Sequence, residues 1–376
     1  MSLRVIALRA AVAMAGIAFA VIVAEIGIRV SGLRVGRHTD TMFTVMEYDP
    51  RFGWLMKPGV EQRVDFVDVE GLAVRSNSLG FRDAEFPAPG GDASCRIAFL
   101  GDSFTWALGV TEDERFTTLV KRGHPAWETL NFGIPGFGTD QSLLVWDSIA
   151  ARYEPNVVIF TMYLNDFVDN AYDIRYGRSK PYFEASGDSL LLRNSPVPRA
   201  TFWRTGVWNR VAPPYRALFE VPLQTRSRIV HFVGRNSVLA RAIYTAVDRS
   251  GVPATNTPAD TTGLNRALDS MEGGRVELAT AILRRMAARV ASNNAAFVVY
   301  LAGTAHPVFE AQRARLVALG IPVEDATDRV LRPELGGRDV FFPFNGHWTA
   351  PANAVVAARM ERWIASHGCR SGVRDR

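Results

Sequence analysis

Short apolar runs alternate along most of the chain with longer segments in which apolar residues recur at helical spacing. Runs typical of buried strands occur at residues 97–100, 130–132, 157–161, 296–302 and 321–323. Helical patterns begin near residue 104, resume at 113–121, begin again near 141, and cover 275–292, 308–319 and 350–366. Strands that alternate with helices form βαβ units. The pattern therefore predicts an α/β fold with a mostly parallel sheet.

The first thirty residues break this pattern, because residues 10–24 form one apolar run between Arg9 and Glu25. A membrane-spanning helix needs about 20 apolar residues, whereas the apolar core of a secretory signal needs about 7–15. Residues 5–30 are long enough to span if Arg9 extends toward the interface. A signal cleaved after Ala18-Phe19-Ala20 and a buried core helix are the alternatives, but apolar residues continue beyond Ala20. We expect an uncleaved N-terminal anchor (residues 1–30), and the arginines on both sides leave its orientation open.

The rest of the chain divides into three regions. Residues 31–92 have short apolar stretches interrupted by turn-forming residues, which predicts a β-rich or irregular lead-in. Residues 93–368 carry the βα pattern and form the predicted main domain. Within it, residues 175–262 are rich in Pro, Arg, Trp and Asn, and we expect an insertion with helices near 226–248. Residues 369–376 form a short tail.

Composition excludes two classes of function. The chain has 376 residues and a net charge of +5, but only three basic residues are lysines and the 40 arginines are dispersed. Nucleic-acid-binding proteins usually concentrate basic charge on one face, so no nucleic-acid partner is expected. The two cysteines have no neighbouring metal-ligand spacing, so no zinc site is expected.

The polar residues that close the predicted strands are the candidates for chemistry, because ligands of parallel α/β sheets bind at the carboxyl ends of the strands. Gly101-Asp102-Ser103 closes the first strand and places a hydroxyl at a helix start, where a nucleophile is favoured. Gly136 lets a backbone N–H approach a substrate, and the Asn165 amide can donate to an oxyanion. His347 precedes the last helix. Capping, turn formation or a structural histidine explains each one singly, whereas their order together indicates nucleophilic catalysis.

In order, the motifs read Gly-Asp-Ser-Phe-Thr, Asn-x-Gly-x-x-Gly, Asn-Asp and a late His, and this order resembles the SGNH/GDSL hydrolase superfamily. Gly53-Trp54, Lys57-Pro58, residues 77–83 and Lys180-Pro181-Tyr182-Phe183 are similar to its membrane-anchored bacterial branch. The resemblance implies a three-layer α/β/α sandwich (SGNH/flavodoxin-like) with a five-stranded parallel sheet.

The resemblance also implies the roles of individual residues. Ser103 would be the nucleophile and His347 the base, and the oxyanion hole would comprise the Ser103 N–H, the Gly136 N–H and the Asn165 amide. It implies neither a metal nor an organic cofactor.

Two positions depart from the superfamily pattern. Tyr163 stands where the third motif usually has glycine, which would narrow the pocket. The triad acid usually lies three or two residues before the histidine, where this chain has Phe344 and Asn345. An asparagine does not stabilise an imidazolium as a carboxylate does. The alternatives are an orienting carboxylate elsewhere, with Asp339 the first candidate, a Ser-His dyad held by Asn345 or a backbone carbonyl, and loss of catalysis.

These features predict a membrane-anchored, extracytoplasmic serine esterase that cleaves an acyl or acetyl ester on a carbohydrate or a lipid. The expected partners are the membrane and the ester substrate. One alternative is an O-acetyltransferase acting on surface polysaccharide, in which a sugar hydroxyl replaces water. Another is a catalytically impaired glycan-binding module, in which aromatic residues of the insertion stack on sugars, although packing inside the insertion also explains them. Those residues are Trp203, Trp208, Tyr215 and Phe219.

The two cysteines flank the main domain, with Cys95 before its first strand and Cys369 after its last helix. In a right-handed βα arrangement, strand starts and helix ends share one edge of the sheet. A disulfide in an exported domain is therefore one expectation, and it requires Cα atoms about 4.4–6.8 Å apart.

Overall fold

The computed structural model of the protein describes residues 3–30, 42–199, 239 and 274–369, except positions 67, 90, 92, 176, 177, 188, 344 and 368. Most of the predicted insertion lies outside the described residues. That part includes the four aromatic residues proposed to stack on sugars and nearly all of the helices expected near 226–248. Phe344 also lies outside them.

The N-terminal segment forms one helix, α1 (Leu3–Val30). Within it, Ala11–Val30 has a mean hydropathy of 2.3, and none of this stretch is buried inside the protein. This exposure contradicts a buried core helix. By length and composition the helix can cross a membrane, and a signal sequence meets the same criteria. Its acidic residue Glu25 forms an ion pair with Arg29, one turn later, at 2.7 Å.

The lead-in contains two antiparallel hairpins. Strand β1 (Met46–Asp49) pairs with β2 (Gly53–Met56), and β3 (Glu61–Val64) pairs with β4 (Leu72–Arg75). Buried side chains of both hairpins, including Trp54 and Val74, belong to the same apolar cluster as one face of the main sheet. The lead-in is therefore packed onto the main domain.

The main domain alternates strands and helices along the chain. In order, its elements are β5 (Cys95–Gly101), α2 (Ser103–Trp106), α3 (Phe116–Gly123), β6 (Trp127–Asn131), α4 (Thr139–Ser148), β7 (Val157–Met162), α5 (Asn165–Asp169), β8 (Ile174–Arg175), β9 (Arg178–Ser179), β10 (Tyr182–Ser186), β11 (Ser189–Arg193), α6 (Gly274–Ser292), β12 (Ala296–Gly303), α7 (Pro307–Ala318), β13 (Val323–Thr327), α8 (Asp328–Leu335) and α9 (Ala350–His367).

Five strands form a parallel sheet in the order β13-β12-β7-β5-β6. Side chains of successive strand residues point to opposite faces. In β5, Ala98 and Leu100 pack with residues of α4, α6 and α7, whereas Ile97 and Phe99 pack with residues of α3, α8 and α9. The predicted three-layer α/β/α sandwich with a five-stranded parallel sheet is confirmed.

Three details differ from the sequence pattern. The last strand was expected at 321–323 but is β13 (Val323–Thr327). The apolar pattern did not include Glu324 and Asp325 because they are charged, but a strand at the edge of the sheet tolerates charged residues. Helices α5 and α8 were not predicted, since α5 has five residues and α8 contains Pro333. The start of the expected insertion, for which no elements were predicted, contains the antiparallel pairs β8–β9 and β10–β11.

The two cysteines meet at one end of the main domain. Cys95, at the start of β5, and Cys369, just after α9, form a disulfide with their Cα atoms 5.5 Å apart. The expected proximity of strand start and helix end is therefore confirmed.

Candidate active site

A sharp turn at the end of β5 presents Ser103. Gly101 has a φ of 144°, and a Cβ there would lie 2.8 Å from the carbonyl oxygen of Thr161, so a side chain does not fit. The Asp102 carboxylate accepts the backbone N–H of Phe104 at 2.8 Å and so caps α2. Asp102, and not Ser103, is therefore the capping residue, so helix capping does not explain Ser103. The Ser103 hydroxyl has a different hydrogen-bond partner.

That partner is His347, 244 positions later in the sequence. The Ser103 Oγ lies 2.7 Å from His347 Nε2, and His347 Nδ1 lies 2.8 Å from the backbone carbonyl oxygen of Asn345. A carbonyl only accepts hydrogen bonds, so Nδ1 carries the ring proton and donates it. Nε2 is then the unprotonated nitrogen, and it accepts the Ser103 O–H. This is the arrangement that a general base needs.

Backbone and aromatic contacts hold the His347 ring. Its backbone N–H donates to the Asn345 Oδ1 at 2.9 Å, and its ring centroid lies 4.7 Å from that of Phe104. The Phe104 ring also contacts Trp348, at a centroid distance of 4.8 Å. Desolvation lowers the pKa of His347 to about 4, and the hydrogen bond to the Asn345 carbonyl acts in the opposite direction. The imidazole is consequently neutral at pH 7, as a base requires.

The two candidates for the triad acid lie in different places. Asn345 contacts the ring through its backbone carbonyl, and its side-chain Oδ1 lies 3.2 Å from Nδ1. Asp339 is exposed, and its backbone carbonyl accepts the Thr349 hydroxyl at 2.7 Å. In the part of the chain that the structure describes, no hydrogen bond or ion pair joins the Asp339 carboxylate to His347. The structure thus brings together Ser103, His347 and Asn345, but not Asp339.

The loop after β6 lies directly against the turn that carries Ser103. The Ile134 N–H donates to the Gly101 carbonyl at 3.2 Å. Gly136 is buried with a φ of 77°, and the preceding carbonyl, of Pro135, accepts the indole N–H of Trp54 at 3.1 Å. The lead-in therefore helps to fix the loop that contains the candidate oxyanion donor Gly136.

Asn165 opens α5 at the end of β7. Its amide nitrogen Nδ2 donates to the Asp169 carboxylate at 2.7 Å. A primary amide has two N–H donors, and the Asn165 side chain also hydrogen-bonds the Asp102 carboxyl, which opposes the effect of burial on the pKa of Asp102. A substrate oxygen would therefore compete with these carboxyls for the amide. The Tyr163 ring, two residues earlier, lies 4.6 Å from the Phe104 ring, on the side of the nucleophile turn.

Four buried carboxyl groups lie behind this side of the site: Asp102, Asp140, Asp166 and Asp169. Burial raises the pKa of Asp102 to about 7. Burial, together with the charge of Asp102, raises the pKa of Asp166 well above its ordinary value. Lys180, fully buried, forms an ion pair with Asp140 and donates to the backbone carbonyl of Asp169 at 3.1 Å. The cluster thereby joins α4, α5 and the strand that follows Lys180.

Sequence reasoning assigned no role to Lys180, Asp169 or Arg82. The Arg82 guanidinium lies 4.4 Å from the Trp106 ring and donates to three carbonyls at or just beyond the end of α2, those of Trp106, Ala107 and Val110, at 2.7–3.0 Å. Arg82 and Lys180 do lie in segments that match the membrane-anchored branch, which was the available signal. Among the described residues, no group of three or more His, Cys, Asp or Glu side chains is arranged to hold a metal ion.

The chain matches no family model and no curated protein, but it is similar to several solved structures. A lipase/acylhydrolase from Enterococcus faecalis is 13% identical with a TM-score of 0.38, and the match covers 74% of this chain and all of that one. A psychrotrophic esterase from Pseudoalteromonas sp. is 12% identical with a TM-score of 0.37, over 72% and 97% of the two chains. A member of the lipolytic G-D-S-L family from Veillonella parvula is 9% identical with a TM-score of 0.34, over 72% and 96%. At these identities and TM-scores the likenesses assign neither activity nor substrate to this chain.

Proposed function

We propose that the protein is a membrane-anchored serine esterase that cleaves an acyl or acetyl ester, with Ser103 as nucleophile and His347 as general base. The observation that carries the proposal is the 2.7 Å contact between Ser103 Oγ and His347 Nε2, with Nδ1 satisfied by the Asn345 carbonyl. This contact gives the hydroxyl an acceptor for its proton at the carboxyl end of β5.

In the first half of the reaction, Ser103 Oγ forms a bond to the ester carbonyl carbon while its proton passes to His347 Nε2. The carbonyl π electrons move to oxygen, and the Ser103 N–H, the Gly136 N–H and the Asn165 amide stabilise that oxyanion. When the intermediate collapses, the bond to the leaving alcohol breaks and His347 returns the proton to that oxygen. Water then attacks the acyl-enzyme by the same sequence of steps and releases the acid.

Two features support an extracytoplasmic catalytic domain. The helix α1 is long and apolar enough to span a membrane. The disulfide between Cys95 and Cys369 is of a kind that persists in oxidising compartments and is rare in the cytosol. An anchored enzyme with this topology would meet esters of the cell surface, on carbohydrates or lipids.

Replacement of the nucleophile tests the proposal. In Ser103→Ala, we expect hydrolysis of p-nitrophenyl acetate to fall by about 10⁴-fold or more in kcat, because the acyl-enzyme can no longer form. A fluorophosphonate probe, which reacts only with an activated serine, should label the wild-type chain and not this variant. Ser189→Ala, on the exposed β10–β11 hairpin, is the matched control and should behave as wild type. Equal hydrolysis by folded Ser103→Ala would refute the assignment.

The same protein preparation distinguishes hydrolysis from transfer of the acyl group to an acceptor. With a labelled acetyl ester and candidate glycans present, an esterase releases labelled acetate, whereas an O-acetyltransferase places the label on the glycan. Absence of both reactions and of probe labelling in the folded wild-type chain would favour the glycan-binding module.

A further inference from the structure

A carboxylate from the lead-in, far away in the sequence, contacts the histidine loop (described residues 341–343 and 345–348). Asp68 Oδ2 accepts the backbone N–H of Asn345 at 2.7 Å, across 277 positions of the chain. Asn345 is the residue whose carbonyl holds His347 Nδ1. Asp68 therefore contacts the residue that orients the catalytic ring, and not the ring itself.

The described residues at the tip of the β3–β4 hairpin (65–66 and 68–71) hold Asp68 in place. Phe66 and Val69 exchange backbone hydrogen bonds of 2.7 and 3.2 Å across a tight turn, and the Asp65 carboxylate accepts the Gly71 N–H at 2.7 Å. The Phe66 side chain is buried, with its ring centroid 6.0 Å from that of Trp106 at the end of α2. The tip is thus anchored to the short helix that begins with Ser103.

Among the described residues of the histidine loop, backbone hydrogen bonds and an antiparallel bridge between Phe341 and Trp348 close a turn. The Gly346 N–H donates to the Phe342 carbonyl at 3.1 Å, and the Phe342 N–H donates to the His347 carbonyl at 2.8 Å. These two bonds close the turn but do not fix the Asn345 peptide relative to Ser103. The Asp68 bond does so, because the β3–β4 tip that carries Asp68 is itself anchored on α2.

We propose that Asp68 is a positioning residue that takes over the orienting task of the missing triad carboxylate: it fixes the Asn345 backbone, whose carbonyl in turn aligns His347 Nδ1. The inference rests on the proposed Ser103–His347 chemistry. The acid of the usual triad bonds the ring directly, whereas here the carboxylate lies one residue further out and comes from the lead-in. Because Asp68 acts on position rather than on the imidazolium charge, an uncharged acceptor should replace it.

The test compares Asp68→Ala, Asp68→Asn and the control Glu61→Ala in the full-length chain. In Asp68→Ala, we expect kcat for p-nitrophenyl acetate and the rate of fluorophosphonate labelling to fall by about 10–100-fold, with KM changed less than threefold, since small misplacements of a catalytic group cost about this much. Asp68→Asn keeps an oxygen acceptor and should stay within about threefold of wild type at an unchanged pH profile. Glu61→Ala removes an exposed carboxylate from β3 of the same hairpin, away from its tip and from Asn345, and should also stay near wild type.

Hydrogen exchange provides a readout that does not depend on activity. The Asn345 amide should exchange at least about tenfold faster in Asp68→Ala than in wild type, and not in Glu61→Ala, because the Asp68 carboxylate accepts that N–H. Unchanged exchange and labelling in Asp68→Ala, or equal losses in Glu61→Ala, would overturn the inference. If wild type and Ser103→Ala both fail to label, the proposed function is wrong, and exchange at Asn345 still decides whether Asp68 holds the loop.

Discussion

At the residue scale, no carboxylate among the described residues hydrogen-bonds the ring of His347, the proposed base. Its Nδ1 proton goes to a neutral carbonyl 2.8 Å away, and desolvation lowers the pKa of the ring to about 4. A carboxylate in that place would instead raise the pKa, because an opposite charge nearby favours the protonated form. The site thus keeps its base unprotonated over a wide pH range, at the cost of weaker stabilisation of the imidazolium in the transition state.

The pH profile of kcat/KM follows from this pKa. The reaction needs neutral His347, so activity is lost as pH falls through the pKa of the free enzyme. We expect the acid limb near pH 4, rather than near the ordinary histidine value of about 6.5. A pH series with a neutral ester such as p-nitrophenyl acetate measures it, and an acid limb near 6.5 would contradict the assigned environment.

Asn345→Asp tests the same environment by adding a negative charge beside the His347 ring. The new carboxylate oxygen would replace an amide oxygen that lies 3.2 Å from Nδ1. We expect the acid limb to move upward by about one unit or more, because an adjacent negative charge stabilises the imidazolium. Asn345→Ala removes the same oxygen without adding charge, and it should produce no upward shift. An unshifted limb in Asn345→Asp would mean that the side chain at 345 does not face the ring.

At the scale of elements, a buried ion pair joins the helices that support the oxyanion side. Lys180 and Asp140 are both fully buried, and Lys180 also donates to carbonyls at Asp169 and Tyr172. Asp169 in turn bonds the Asn165 amide at 2.7 Å. The position of the candidate oxyanion donor therefore depends on α4, α5 and the segment at Lys180 remaining together.

Lys180→Met should destabilise the fold strongly. It leaves the Asp140 carboxyl buried without its cation, and breaking one side of a buried pair costs about 3–5 kcal/mol. Chemical unfolding of the full-length chain measures the loss. Lys121→Met, on the exposed face of α3, is the matched control and should change stability by less than about 0.5 kcal/mol. A Lys180→Met variant as stable as the control would show that Asp140 finds another partner or a proton.

The disulfide acts at the scale of the whole molecule, since it joins residues 274 positions apart. It closes the main domain between the first strand and the segment after the last helix. A cross-link over so long a loop restricts the unfolded chain more than a short one does, and removing a native disulfide typically costs about 2–5 kcal/mol. We expect the Cys95→Ala, Cys369→Ala double variant to lose stability in this range.

Reduction is the control for that variant. A reductant should lower the unfolding midpoint of the wild-type chain to that of the double variant and leave the variant itself unchanged. Alkylation before lysis, followed by mass spectrometry, should find both cysteines protected when the domain is exported. Free thiols in the protein from cells would contradict an extracytoplasmic location.

Much of the main domain was predictable because its strands are buried on both faces and read as apolar runs. The helices predicted at 275–292 and 350–366 differ from α6 and α9 by one residue at an end. Elements with weak patterns were not predictable. Strand β13 lies at the sheet edge with charged residues, α5 is too short for a helical period, and α8 contains a proline.

The sequence by itself determined which residues close the strands, because buried parallel strands read as apolar runs and ligands bind at their carboxyl ends. It therefore placed Ser103 and His347 at one edge, where the structure finds them in contact. Only the tertiary structure decided what holds the histidine, since the ring binds a nearby carbonyl rather than Asp339. It alone also brought Asp68 to Asn345, because a hydrogen bond across 277 positions depends on how the lead-in packs on α2, which no local pattern encodes.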